Sequence, residues 1–253
     1  MNFSQSANLT AEFVRTDFKL RYHGSYLGYL WSFIKPLMMF GVLYVVFSKF
    51  LRVDYPDYPL YLFLGIILWN FFAEATTSAM CSIVEKGGLI KKIHFPREII
   101  VFSSVAVSFI VLISNFAIFG IFYLFAGLAF DLNMLFFLLY LLQLCVVTLG
   151  VAFFLSALYP KFRDLFHIWQ VLLQVGFWAT PITYILQIVP QKYAALILAN
   201  PLAGIIYNSR LALINHRFPD AGSFLYALIA GIIILAAGYF LFFRRMPFFA
   251  EEV

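Results

Sequence analysis

The sequence predicts an all-α integral membrane protein. Six transmembrane helices are preceded by an N-terminal amphipathic interface helix, and external re-entrant helices lie between spans five and six. Three observations lead there. Of 253 residues, 64% are hydrophobic and 11% charged, against roughly a quarter charged in a soluble domain, and so little charge cannot cover a water-facing surface. Six apolar runs reach about the 20 residues that one crossing needs. The cations gather in short clusters between those runs, which suits an orientation signal or anionic headgroups better than nucleic acid, despite a net charge of +5. Six spans leave no room for a second folded unit, so residues 1–253 read as a single transmembrane domain.

Residues 8–22 read as a short amphipathic helix capped by Asn8, with Ala11, Val14, Phe18 and Tyr22 on one face and Glu12, Arg15 and Lys19 on another. Such a helix lies in the interface instead of crossing it. Charges of alternating sign (Glu12, Arg15, Asp17, Lys19, Arg21) and no small-residue cleavage site argue against a secretory signal.

The spans follow in order. Tyr29–Phe50 holds Lys35, which can snorkel, and Pro36, which a membrane helix tolerates where neighbours re-satisfy the backbone. Leu60–Val84 and Ile99–Phe125 flank a basic loop, 85–98. Met134–Leu158 and a fifth run from Leu165 to about Tyr184 come next, and Phe224–Phe243 is the last. Tyr58, Tyr61, Tyr159, Tyr226 and Tyr239 near the span ends fit an interfacial belt. Residues 180–208 are apolar but broken by Pro181, Pro190 and Pro201, so two short external re-entrant segments are expected, covered by protein or lining a cavity.

Twelve of the seventeen cations fall on the side of Arg15, Lys86, Lys91, Arg163 and Arg244; five (Lys49, Arg52, Lys192, Arg210, Arg217) fall on the other. The positive-inside rule then places both termini in the cytoplasm.

Several chemistries are disfavoured. Glu85-Lys86-Gly87-Gly88-Leu89-Ile90-Lys91-Lys92 lacks the spacing and Lys-Ser/Thr ending of a phosphate-binding loop. No His-Glu-x-x-His, nucleophile elbow or clustered acidic loop is present, and Cys81 and Cys145 sit in apolar runs as small hydrophobes. No internal repeat of the kind found in many secondary carriers is visible. A membrane-embedded transferase or phosphatase would need clustered acids or histidines at one face. An ion-coupled carrier would need partnered ionisable groups at depth, where Glu74 stands alone.

Polar residues recur at helical spacing inside the spans: Asn70, Glu74, Thr77 and Cys81; Ser104, Ser108 and Asn115; His167, Gln170 and Gln174. The serines suit helix–helix hydrogen bonds. Glu74, Gln170 and Gln174 are candidates for a transport path, with Trp69, Phe72, Phe177, Trp178 and Tyr184 as the aromatic candidates beside them. The 85–98 loop combines Leu89, Ile90, Ile93 and Phe95 with Lys86, Lys91, Lys92 and Arg97, punctuated by Pro96, and reads as a docking element for a soluble partner.

Five segments in order then resemble the type-2 ABC exporter permeases that move cell-surface polysaccharides, including O-antigen, capsule and teichoic acid. They are Arg21 to Trp31 with Lys35-Pro36-Leu37, Leu89 to Glu98, Phe162-Arg163-Asp164-Leu165, Phe177 to Tyr184, and Asn200-Pro201-Leu202. The resemblance implies a homodimer in the bacterial cytoplasmic membrane, paired with two separate ATPase subunits. No cofactor is then expected in this chain, and ATP and Mg2+ would sit on the partner. It further implies that Leu89, Ile90, Lys91, Lys92, Phe95, Pro96 and Arg97, with Arg163 and Asp164, couple to that ATPase, and that a lipid-linked glycan is the cargo. Permeases for drugs or small lipids are the nearest variant.

Overall fold

The computed structural model describes residues 3–93, 95–128, 131–217 and 220–253. Helices dominate it, and no strand occurs among these residues. In a bilayer every backbone polar group must be satisfied within the chain, which long helices do. Five helical stretches are long and apolar enough to cross: Gly28–Phe50, Tyr58–Glu85, Glu98–Phe125, Leu135–Leu158 and Ala221–Glu252.

The first helix, α1 (Phe3–Tyr22), is longer than expected and places Asn8 inside it instead of at its cap. The face it packs inward carries Phe13, Val14, Asp17, Phe18, Arg21 and Tyr22, while Ala11 is exposed together with Glu12, Arg15 and Lys19. It lies along α5 (Glu98–Phe125). α2 (Trp31–Tyr44) accommodates a buried Pro36 and widens over Val45–Phe50 into a π turn, where the Leu51 N–H reaches back five residues to Val46 O at 2.9 Å.

α3 (Tyr58–Glu85) is the central helix, buried along most of its length against α2, α5 and α6 (Leu135–Leu158). Phe40, Phe63, Phe119 and Phe122 interlock where α2, α3 and α5 meet, with ring centroids 5.2–6.4 Å apart. The short α4 (Gly87–Lys92) connects α3 to α5.

α6 also receives the last long helix, α10 (Ala221–Arg245). Gly150 of α6 and Gly238 of α10 let these backbones touch: a Cβ on Gly150 would lie 2.6 Å from Leu235 N, and one on Gly238 would strike the Gly150 carbonyl. With no hydrophobic driving force between helices in lipid, such close van der Waals approach is what holds them together.

The fifth run departs most from expectation. α7 (Leu165–Ala179) has 15 residues, about 22 Å at 1.5 Å per residue, shorter than a hydrocarbon core of about 30 Å. Thr180 is extended (φ −89°, ψ 139°) because Pro181 follows it, and a residue before proline is pushed out of the helical region. Beyond the turn, α8 (Gln191–Leu198) and α9 (Pro201–Leu213) meet at 104°, a bend that suits a broken span as well as a re-entrant pair. Asn200 caps α9, its Oδ1 accepting from Leu202 N at 3.1 Å, and Pro201 supplies a pre-set first turn. A four-residue α11 (Phe249–Glu252) closes the chain's order of elements after a turn at Met246–Phe248.

Candidate functional site

The basic loop resolves into an inward and an outward side. Lys91, Lys92 and Ile93 at the end of α4 are exposed, as are Arg163 and Asp164 in the turn between α6 and α7. Ile90 is buried. Phe95 stacks on Phe13 of α1 at 5.6 Å, and Arg97 donates from Nη1 to the Met246 carbonyl. Leu89 and Pro96 are half-buried. Ile93 is extended (φ −133°, ψ 145°) and ends α4; His94, part of the expected coupling segment, lies outside the described residues. The expected coupling residues therefore divide: Lys91, Lys92, Arg163 and Asp164 present charge outward, while Ile90 is buried and Phe95 and Arg97 fasten the loop to α1 and the end of α10.

The candidate path residues divide as well. Trp69, Phe72 and Phe177 are buried within the chain. Together with Trp169 they weld α7 to α3: Trp69 to Phe72 at 5.8 Å, Trp69 to Phe177 at 6.1 Å, Phe72 to Trp169 at 6.1 Å. Trp169 Nε1 donates to Thr76 Oγ1 at 3.1 Å, a contact between residues 93 apart that no local pattern signals. The opposite face of α7 carries His167, Gln170, Gln174 and Trp178, all exposed. Tyr184 is half-buried and donates to the Ala179 carbonyl at 3.0 Å.

Glu74 is not alone. Arg21 Nη1 reaches its Oε1 at 2.6 Å, and Arg21 Nη2 donates to Ser78 Oγ at 3.0 Å and Ser108 Oγ at 3.4 Å. The interface helix thus supplies the counter-charge that makes a carboxylate tolerable in a span. The pairing joins residues 53 apart, so the periodicity of α3 by itself could not reveal it. Next to it, Asp17 of α1 pairs with Lys86 at 2.6 Å. The Arg21–Glu74 pair lines a cavity of about 680 Å³ shared with Trp31, Lys35, Asn70 and Asn115. Ser104, by contrast, bonds back to its own helix at Ile100 O, 3.0 Å away.

Arg210, counted among the five cations of the side opposite the basic loop, is 1% exposed in the middle of α9. Its guanidinium stacks on the Tyr61 ring at 3.6 Å, donates to the Ile182 carbonyl at 3.0 Å and donates to the Pro181 carbonyl. Tyr58 OH donates to Thr183 O at 2.6 Å, so α3, α9 and the turn after α7 are tied together. A charge buried this deeply is tolerable only when stacked and hydrogen-bonded.

Comparison with known proteins bears on what this arrangement serves. A family model described as ABC-2 type transporter matches residues 9–214. An O-antigen export system permease protein RfbA from Myxococcus xanthus is 30% identical over 256 residues, covering 98% of this chain and 96% of the relative. A protein of the same name from Klebsiella pneumoniae is 30% identical over 252 residues, covering 99% and 96%. The polysialic acid transport protein KpsM of Escherichia coli is 21% identical over 244 residues, covering 95% and 94%. With a family match over most of its length and full-length relatives that are export permeases, this chain belongs to the ABC-2 type transporter family.

Proposed function

We propose that this chain is the membrane permease of an ATP-driven exporter that carries a lipid-linked cell-surface polysaccharide outward across the cytoplasmic membrane. It works as two copies joined to two separate ATPase subunits, with ATP and Mg2+ held by those subunits. Both termini, α4 and the α6–α7 turn face the cytoplasm, in line with the distribution of cations. Lys91, Lys92, Arg163 and Asp164 meet the ATPase; Leu89, Ile90, Phe95, Pro96 and Arg97 carry its displacement into α1, α5 and α10.

The observation that carries this reading is the outward stripe His167, Gln170, Gln174 and Trp178 on the otherwise apolar α7. Amide groups facing lipid with no partner cost several kcal/mol each. A second copy, with an aqueous path between the two, gives the stripe a partner. Gln170 and Gln174 then offer adaptable hydrogen bonds and Trp178 a sugar-stacking face, while Tyr184 sits where the path turns at Pro181. Trp69, Phe72 and Phe177 hold α7 in register from behind. Glu74, paired to Arg21, serves the path by fixing α1 to α3.

The test is genetic and biochemical together. Deletion of the gene removes the surface polysaccharide and leaves lipid-linked glycan inside the cell. A normal surface coat in the deletion strain would move the reading to a permease for drugs or small lipids.

A further inference from the structure

The residues after the last span, Met246-Pro247-Phe248-Phe249-Ala250-Glu251-Glu252-Val253, have no place in the reading so far. Met246–Phe248 continues α10 as a single turn of 3-10 helix with Pro247 in it, and α11 follows it and packs against α4. Phe249 is 0% exposed and meets Phe242 edge-on at 5.2 Å, so α11 is anchored to α10. Arg245 Nη2 pairs with Glu252 Oε1 at 3.1 Å across the turn.

Three contacts then reach the coupling elements. Arg97, just beyond α4, donates to the Met246 carbonyl. Arg163, in the α6–α7 turn, donates from Nη2 to the Glu252 carbonyl at 3.5 Å. Val253 lies over Gly87, the first residue of α4, so closely that a Cβ there would stand 2.9 Å from Val253 Cβ and 3.0 Å from its Cγ2. The three atoms nearest that Cβ all belong to Val253, and Gly87 is not among the positive-φ glycines. A side chain at 87 therefore has to push Val253 aside, and backbone conformation does not itself call for glycine there.

We infer that Met246–Val253 is a strut that locks α4 and the α6–α7 turn to α10, so that force applied to α4 moves the spans together. The residues act by positioning: none of them is asked to touch ATP or cargo. The inference rests on the coupling role proposed above for α4. Without the strut, α4 is tethered only at its ends and yields locally when pushed. ATP is still hydrolysed, but fewer cargo molecules cross per ATP.

The contact between Gly87 and Val253 allows a reciprocal test in the complete complex with its ATPase, in proteoliposomes and in cells. Gly87→Ala pushes Val253 away, and Val253→Gly removes the contact. Each single variant lowers surface polysaccharide per ATP hydrolysed by about threefold, and the double variant recovers most of the loss, because the new methyl fills the vacated space. Co-purification with the ATPase stays unchanged in all three. A Lys91→Ala/Lys92→Ala variant runs in parallel. If it lowers coupling while the three strut variants match the parent, or while the double variant is worse than either single one, the strut is wrong and the docking role stands. If Lys91→Ala/Lys92→Ala leaves coupling intact while the strut variants behave as described, docking by the α4 lysines is wrong and the strut holds. If neither set changes transport per ATP, both fall.

Discussion

Arg210 fills the space opened by the missing side chain of Gly65. A Cβ at position 65 would overlap Arg210 Nη2 and stand 3.1 Å from its Cζ, so the central helix carries glycine at the point where the guanidinium crosses it. That crossing ties α9 and the turn after α7 to α3 through Tyr61 and through the Pro181 and Ile182 carbonyls.

Gly65→Ala therefore destabilises the protein by about 1–3 kcal/mol through overpacking. Arg210→Ala costs about 3 kcal/mol, because two buried carbonyls lose their donor. Arg210→Lys does not restore it, since an ammonium cannot both stack flat on Tyr61 and fork to two acceptors. Thermal unfolding in detergent, followed by the soluble fraction, measures all three; an Arg210→Lys variant as stable as the parent would contradict this assignment.

The interface helix is held by charge. Arg21→Ala leaves Glu74 without its counter-ion and two serines without their donor. A loss of about 1 kcal/mol follows for this partly exposed pair, with faster proteolysis within 3–22 than in the parent. Glu74→Gln is milder, because an amide oxygen still accepts from Arg21. Equal protease sensitivity of Arg21→Ala and parent would separate α1 docking from this pair.

The two faces of α7 respond differently. Gln170→Leu with Gln174→Leu reduces export several-fold while leaving ATP hydrolysis and folding near the parent level, since both side chains are exposed. Trp169→Phe keeps the ring contact with Phe72 and loses the bond to Thr76, so it costs about 1 kcal/mol of stability. Export assays beside unfolding curves separate the two effects; a fold-damaging Gln pair would place that face in contact with the protein interior.

Packing of α6 on α10 depends on the two bare backbones. Gly150→Val forces them apart and costs about 3 kcal/mol, read as loss of monodisperse protein on size exclusion. Gly120→Val in α5, where an added Cβ meets nothing within 4 Å, serves as the control and remains near the parent.

Much of this was legible in the residues themselves. Apolar runs located the long helices and Pro201 fell at the break between α8 and α9, but the fifth run was carried to about Tyr184, past Pro181, whose effect on Thr180 ends α7. These are local signals, carried by neighbours in sequence. Arg210, Glu74 and α11 were misjudged or overlooked for the opposite reason. Arg210 reads only as one cation of its side until Gly65 and Tyr61 are known to face it. Glu74 reads as solitary until α1 folds across α3. Phe249 and Val253 form no span-length run, so only their contacts with Phe242 and Gly87 give them meaning. The path candidates were chosen by residue type, and residue type does not tell the α7 face that meets α3 from the one that does not.

The central claim is that this chain moves its cargo only with work borrowed from a nucleotide-hydrolysing partner. It is tested most directly by purifying the chain alone and with its cognate ATPase, reconstituting both in liposomes loaded with lipid-linked glycan, and following ATP hydrolysis and the appearance of glycan on the far leaflet. The expected result is neither activity from the chain alone and both from the complex, each lost when the ATPase cannot hydrolyse ATP. Glycan crossing driven by the chain alone, or by the complex without hydrolysis, would contradict it.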